Sequence, residues 1–523
     1  MTGLTGTEIK IQQKSYWVSP SVIFSTGLAV AMVGLPYFAY HLRLLSEGYD
    51  GVTYVAASVQ MANGALPYKD FVLLHPPGLL YILLPFALLA RLIGTHVVLE
   101  LSNLLTVFVA IANCGLLARL IQPRSRIGAL VAGGSLALFP GAIFDTHTTK
   151  LEPFMLFSFL LSLIFLFPDG QNLSSKRLRL AGLLLGFSAC IKIWAAAPIV
   201  AVLVVVLLGA TFDGKNRFLK FTIIGCVGPV LPFLILAPAQ FFHQVFITQL
   251  ERGPGLIFTI GRGERLKYLA SYALGEGTLK AAIISGVLFL MLAVVIRNRK
   301  ESRALDRIAL LTFVVAFIEI LLPIEFYSYY SYFPEVFFAL LLGCVVALWE
   351  EGRAIKDGDR GTDFGHQLVK IAVLGPLLIW SLFSFLDLET YTKNYSAHSS
   401  VDVPAKSIDS LIPEGACVTT NWLFFTVDSN RYLSNSKGCP VMVDPYGAWL
   451  SQNPKFPPPN PANFVPALTA QWQTSFAKSD YVILASTTQQ FVPWSESLRQ
   501  WFNNHFVRIA VLPNVSVFKQ RAQ

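Results

Sequence analysis

Long apolar runs separated by short polar loops set the pattern for most of this chain. Runs near the ~20 residues that cross a bilayer fall at 18–41, 97–121, 127–142, 152–167, 180–193, 194–211, 220–241, 278–296, 308–323, 332–349 and 368–388. They predict about eleven transmembrane helices. The segment 79–93 (LLYILLPFALLARLI) is apolar but only 15 residues long. That length suits an interfacial or re-entrant helix better than a crossing. The first run, from Ser19 to Tyr40, exceeds the ~7–15 residues of a signal-peptide core, and no small-residue cleavage site follows it. It reads as a retained span.

Near residue 390 the pattern changes. Short β-like runs follow: ACVTT (416–420), PVMVD (440–444), DYVILAS (480–486) and VRIAVL (507–512), the last returning through PN into VSVFK. Helix-like stretches such as SESLRQWFNNHF lie between them. Two domains are therefore expected: a transmembrane domain over 1–388 and a small α/β domain over 389–523. No extended internal repeat accompanies this division.

Composition supports the membrane reading. Of the 523 residues, 54% are hydrophobic and 14% charged, against about 25% charged in soluble domains. The net charge of +9 does not point to nucleic acid, because of where it falls. Arg119, Arg124 and Arg126, Lys176, Arg177 and Arg179, Lys215, Arg217 and Lys220, Arg297 to Arg307, and Arg353 to Arg360 all occupy short loops. Such loops mark the cytoplasmic side. This places the N-terminus inside and the C-terminal domain outside, in the plasma (inner) membrane. Counting 79–93 as a span would put the Arg124 cluster on the wrong side. Cys114, Cys190, Cys226 and Cys344 lie in spans as small apolar fillers. Cys417 and Cys439 fall in the external tail, where they either stay free or form a disulfide.

One loop does not fit the apolar pattern. EGYDGVTYVAASVQMANGALPYKDFVLLHPPG (47–78) carries Glu47, Asp50 and Asp70 beside the first span. DGVTYVAASVQMANG reads as a helix with Asp50 as N-cap and Asn63-Gly64 as its stop. Carboxylates braced by apolar helices are costly unless used or solvated. At headgroup level outside the cell, a sugar on a polyprenyl phosphate offers a scissile bond. Hydrolysing a glycoside takes two carboxylates, but a phosphate leaves as a stable anion. One general base can then suffice, with cations neutralising the departing phosphate.

The order D-x3-Y-x2-A, NGALPYKD and HPPGLLY resembles the first external loop (42–96) of the GT-C glycosyltransferases. The nearest likeness is to protein O-mannosyltransferases and lipid A aminoarabinose transferases. DTHTTKLEPF (145–154), AGLLLGFSACIK (181–192), FFHQVFITQLER (241–252) and FYSYYSYFPEVFFALLLG (326–343) are similar to that family as well. The resemblance implies a helical GT-C membrane fold and Asp50 as catalytic base, with Tyr54 completing its motif and Glu47 and Asp70 as alternates. It implies substrate positioning, or a divalent cation, at Asp145, His147 and Glu152. Helix-start acids and hydrogen-bonded histidines are the plainer readings of those residues and of His75. Lys192, Arg252, Arg262, Arg265 and Lys267 form the external positive charge that would take a lipid phosphate or anionic headgroups. Tyr329 stands where relatives often place His, followed by Tyr330. In the tail, VDPYGAW (443–449), Trp422, Trp449 and Trp472 are candidates for stacking on sugar, with core packing as the alternative.

The expectation is an inverting hexosyl- or pentosyltransferase using a polyprenyl-phosphate sugar, with a glycan, lipid or protein acceptor at the outer face. Rival readings are a flippase or transporter of a lipid-linked glycan and an O-antigen-type ligase or polymerase. A transporter predicts inverted repeats and ionisable groups at mid-bilayer.

Overall fold

A computed structural model describes residues 19–39, 48–174, 176–208, 214–252, 264–265, 302–323, 326–357, 405–452, 466–486 and 491–522. The expected spans 278–296 and 368–388 and the candidates Glu47, Arg262 and Lys267 lie outside these residues.

The chain opens with α1 (Pro20–Ala29), capped by the Ser19 side chain and continued through a π-helical turn at Val30–Gly34. In the first loop follow α2 (Tyr49–Ala62) and α3 (Gly78–Ala87). At 1.5 Å per residue α3 is about 15 Å long, half the ~30 Å hydrocarbon core. Pro85 lies inside it, and a short turn at Ala90–Ile93 redirects the chain. The bundle is then built from α4 (Thr95–Ile121), α5 (Arg126–Leu138), α6 (Leu151–Leu166), α7 (Leu178–Ile191), α8 (Ala196–Leu208), α9 (Lys215–Val227), α10 (Ala304–Leu321) and α11 (Tyr332–Asp357). Four stretches among the described residues are long and apolar enough to cross a membrane: Pro20–Phe38, Thr95–Ile121, Lys215–Leu236 and Tyr329–Gly352.

These helices differ in what they touch. The apolar window of α4 is 78% buried, whereas that of Lys215–Leu236 is 17% buried. Ile223, Leu231 and Ile235 on the latter are exposed, as a lipid-facing helix requires. Its start at Lys215, ahead of the apolar run, lets basic side chains lie along the stem with their heads outward.

At one end of the bundle, Arg124 donates to both oxygens of Asp306 (2.6 and 3.2 Å) and both of Glu351 (3.2 Å each). This joins the loop after α4 to the start of α10 and the last turns of α11. Three of the five loops read as cytoplasmic thus meet on one side of the molecule.

The tail forms a four-stranded sheet of β1 (Val418–Thr420), β2 (Tyr481–Ala485), β3 (Phe506–Leu512) and β4 (Val515–Gln520), in the order β1-β2-β4-β3. β1 pairs with β2 in parallel, and the other pairs are antiparallel. Helices α12 (Leu423–Asp428), α13 (Pro445–Gln452), α14 (Pro466–Ala477) and α15 (Glu496–His505) pack around it. PVMVD (440–444), expected as β-like, contributes no strand; its last residue instead caps α13. Cys417 and Cys439 form a disulfide.

Trp449 and Trp472 are buried in the core of this domain, with the Trp449 indole N–H donating to the Phe491 carbonyl (2.8 Å). Their rings are therefore not open to a sugar. Leu74 of the first loop joins the same core, and Phe424 and Phe425 of α12 join the core of the bundle. Asn430 accepts from the His96 backbone N–H (2.9 Å) and so caps the start of α4 from outside. The domain is thereby keyed to the helices at several points.

Candidate active site

The loop carboxylate Asp50 sits in the first turn of α2, but not as its cap. Gly48 holds that position, and no side chain caps the helix. The expected N-cap role is corrected: Tyr49 already has helical backbone, which moves Asp50 one place inside. An acid there still gains from the helix dipole. Asn63 ends the helix and Gly64 follows with φ +92°, as the Asn-Gly pair predicts.

Close backbone contact brings the second loop to Asp50. A Cβ on Gly51 would lie 3.0 Å from the Thr149 carbonyl oxygen, so the absent side chain lets α2 rest on this strand. Thr149 is itself anchored, donating through its N–H and hydroxyl to Asn103 of α4 (2.9 Å each). The next residue, Lys150, extends its ammonium to Asp50 Oδ2 (3.4 Å) and over the Tyr329 ring (3.9 Å to the centroid). The Tyr329 hydroxyl donates to the same Oδ2 at 2.6 Å. Burial pushes the Asp50 carboxyl up, but the Lys150 charge and the Tyr329 hydrogen bond outweigh it and hold the group at about 2. It is a carboxylate at any working pH.

A second pair stands beside it. Lys192, at the C-terminal end of α7, donates to Glu152 Oε1 (2.5 Å) in the first turn of α6. Its ammonium lies 3.6 Å from the centroid of Trp194 and 4.7 Å from that of Tyr330. The HPPG turn is pressed against α7: a Cβ on Gly78 would lie 2.5 Å from the Cys190 carbonyl oxygen. His75 of that turn meets the edge of Tyr54 (5.8 Å). Burial and the nearby Lys192 charge lower His75 to about 3, so it stays neutral.

The remaining candidates scatter. Asp70 accepts the Leu66 N–H (2.8 Å) and orders an exposed turn. His147 is buried and bonds the Val33 carbonyl through Nε2 (2.9 Å), facing α1. Asp145 lies electrostatically beside Glu335 of α11. With Glu152 held by Lys192, these three face different partners, and no group of three metal-ligating side chains exists among the described residues. Among the described residues, Asp145, His147 and Glu152 do not converge as a divalent-cation site. Arg265 is buried and donates to the carbonyls of Leu321 and Pro323 at the end of α10. That is the place of a helix-capping cation, and it commits Nη1 away from the expected phosphate contact.

Arg252 stays near the cluster. Its Nη2 lies 3.4 Å from the Tyr446 hydroxyl and its guanidinium 5.4 Å from that ring's centroid. Sequence reasoning does not single out Lys150, although it is a cation in the external loop DTHTTKLEPF, the signal that singles out Lys192. The VDPYGAW turn stands out as a candidate for stacking on sugar, but no local pattern ties it to Tyr49, nearly four hundred positions away.

No family model and no curated protein matches this chain. Among solved structures, ArnT from Cupriavidus metallidurans bound to undecaprenyl phosphate is similar over 95% of this chain and 99% of its own, with TM-score 0.58 and 15% identity. Its apo state gives TM-score 0.53 at 15% identity, over 92% and 96%. The apo oligosaccharyltransferase of Archaeoglobus fulgidus gives 0.50 at 12% identity, over 94% of this chain and 73% of its own. The GT-C fold that the ordered loop motifs imply is therefore the fold of this chain, shared across nearly its whole length with ArnT.

Proposed function

We propose that the protein is an inverting glycosyltransferase that moves a sugar from a polyprenyl-phosphate donor to an acceptor at the outer face of the membrane. The observation that carries this is Asp50: a carboxylate kept ionised by Lys150 and Tyr329, with Lys192 and Arg252 in the same neighbourhood. The likeness to a structure holding undecaprenyl phosphate supports the donor class.

In the reaction, the acceptor O–H gives its proton to Asp50 as its oxygen bonds the anomeric carbon. The bond from that carbon to the phosphate oxygen breaks, and its electron pair leaves with the phosphate. A carboxylate held at about 2 is a weak base toward a free hydroxyl. The attacked centre resembles an oxocarbenium ion, so the acceptor proton grows acidic as the new bond forms. A weak, well-placed base then suffices. Lys150, Lys192 and Arg252 supply positive charge for the developing phosphate dianion. Transmembrane residues 1–388 carry this site, and the domain over 389–523 covers it from the outer side.

The test is transfer by purified full-length protein given polyprenyl-phosphate pentose, hexose and aminopentose donors. One donor should support transfer with inversion, and none should do so in Asp50→Asn. Asparagine keeps the size of the side chain but removes the base. Full activity in that variant would overturn the assignment.

A further inference from the structure

The VDPYGAW turn (443–449) of the tail touches the site at two points. The Tyr49 hydroxyl donates to Asp444 Oδ1 (2.7 Å) and accepts the Tyr446 backbone N–H (2.8 Å). Tyr49 immediately precedes Asp50. The Tyr446 side chain, on the same turn, carries the Arg252 guanidinium.

Helix capping alone accounts for part of this. Asp444 precedes Pro445 at the start of α13, and its Oδ1 takes the Gly447 N–H (2.7 Å). A Cβ on Gly447 would meet the Asp444 carboxylate, so a side chain there would push on the cap. A cap does not need a tyrosine hydroxyl from 395 residues away. That hydroxyl is used in both directions, and the ring is packed against Phe491 and Tyr446.

We infer that this turn is a positioning element of the active site: Asp444 and Tyr446 hold Tyr49, and so set where the adjacent Asp50 carboxylate points, while Tyr446 places Arg252. The inference rests on Asp50 being the base. Burial pushes the Tyr49 hydroxyl up and raises Asp444 to about 6, which keeps the tyrosine protonated as the donor.

Tyr49→Phe is the discriminating variant, because it removes the clamp and leaves the Asp444 cap intact. In full-length protein its kcat for sugar transfer should fall roughly ten- to hundredfold, the scale expected of a misplaced reacting group. The donor KM and the melting temperature should stay unchanged. Asp444→Asn, which keeps an acceptor oxygen, should restore most of the rate lost in Asp444→Ala. Tyr432→Phe removes another contact from the same domain to α2, at the Ala56 carbonyl (3.3 Å), and should leave kcat within about twofold.

A normal kcat in Tyr49→Phe, with Asp50→Asn inactive, overturns the clamp and leaves the base standing. A fully active Asp50→Asn overturns the base instead. A Tyr49→Phe loss that tracks a lowered melting temperature, or that Tyr432→Phe reproduces, reduces the turn to a docking contact.

Discussion

Two ionic clusters lie at opposite ends of the helical bundle, and they are built to different rules. Nineteen residues of α11 separate Tyr332, beside the Asp50 cluster, from Glu351 in the Arg124 cluster (351 − 332). At 1.5 Å per residue that is about 28 Å, close to a bilayer core. The Arg124 side chain is 0% exposed, with Asp306 at 4%, and both ends of the guanidinium are taken. Asp50 is 32% exposed, and its ammonium partner sits at a loose 3.4 Å. The first cluster is saturated and can only hold helices together. The second has donors to spare and an open side, which is what binding and chemistry need.

The contrast is easiest to break at its most reactive point. Asp50→Asn should lower transfer by ~10²–10⁴-fold, the usual contribution of a general base, while donor affinity and melting temperature are retained. Initial rates measured beside donor binding decide this. Arg124→Ala should do the reverse. Two carboxylates left without their cation cost about 3–5 kcal/mol of stability, read as a lower melting temperature, while folded molecules keep normal donor affinity. Equal loss of activity per folded molecule in both variants would end the distinction.

Tyr329→Phe sharpens the comparison by pH. As the proposed base Asp50 acts ionised, and at about 2 it should place no acid limb on the rate between pH 4 and 8. Without the tyrosine hydroxyl, burial is opposed by Lys150 with one donor fewer, and the pKa rises. Activity should then fall at the acid end of that window and be restored as pH increases. A profile identical to wild type would show that the 2.6 Å hydrogen bond does not tune the base. The smallest effect concerns salt. Raising ionic strength should weaken donor binding a few-fold, because the half-buried Arg252 and an anionic donor approaching it from solvent are screened from one another. Melting temperature, which the closed Arg124 cluster supports, should hardly move.

Much of this architecture is legible in the residues themselves. The apolar periods locate the described spans, and the basic loops place Arg124 and Arg303 on one side, where Glu351 joins them in the structure. Asp50 stands out because an acid beside apolar helices is expensive. What stays hidden is tertiary. Tyr49 enters the helix ahead of Asp50 while held by a turn from the far end of the chain, and capping preference carries no information about that contact. The ion pair of Lys150 with Asp50 depends on Gly51 and Asn103, which bring its loop against α2. Arg265 reads as phosphate-seeking, because nothing local reveals the carbonyls at the end of α10 that claim it.

The hydrogen bond between Tyr49 and Asp444 also sets a schedule. A ribosome adding ~5–20 residues per second needs about 20–80 s to cover the 395 residues between them. During that interval the helix that carries Asp50 is already made, yet the turn that holds Tyr49 has not been synthesised. Under the proposed clamp, the turn that steadies Asp50 is thus among the later parts of the site to be made. On that reading, a chain cut before Asp444 keeps Asp50 but loses the contact that aims it, and any transfer by it should slow rather than cease.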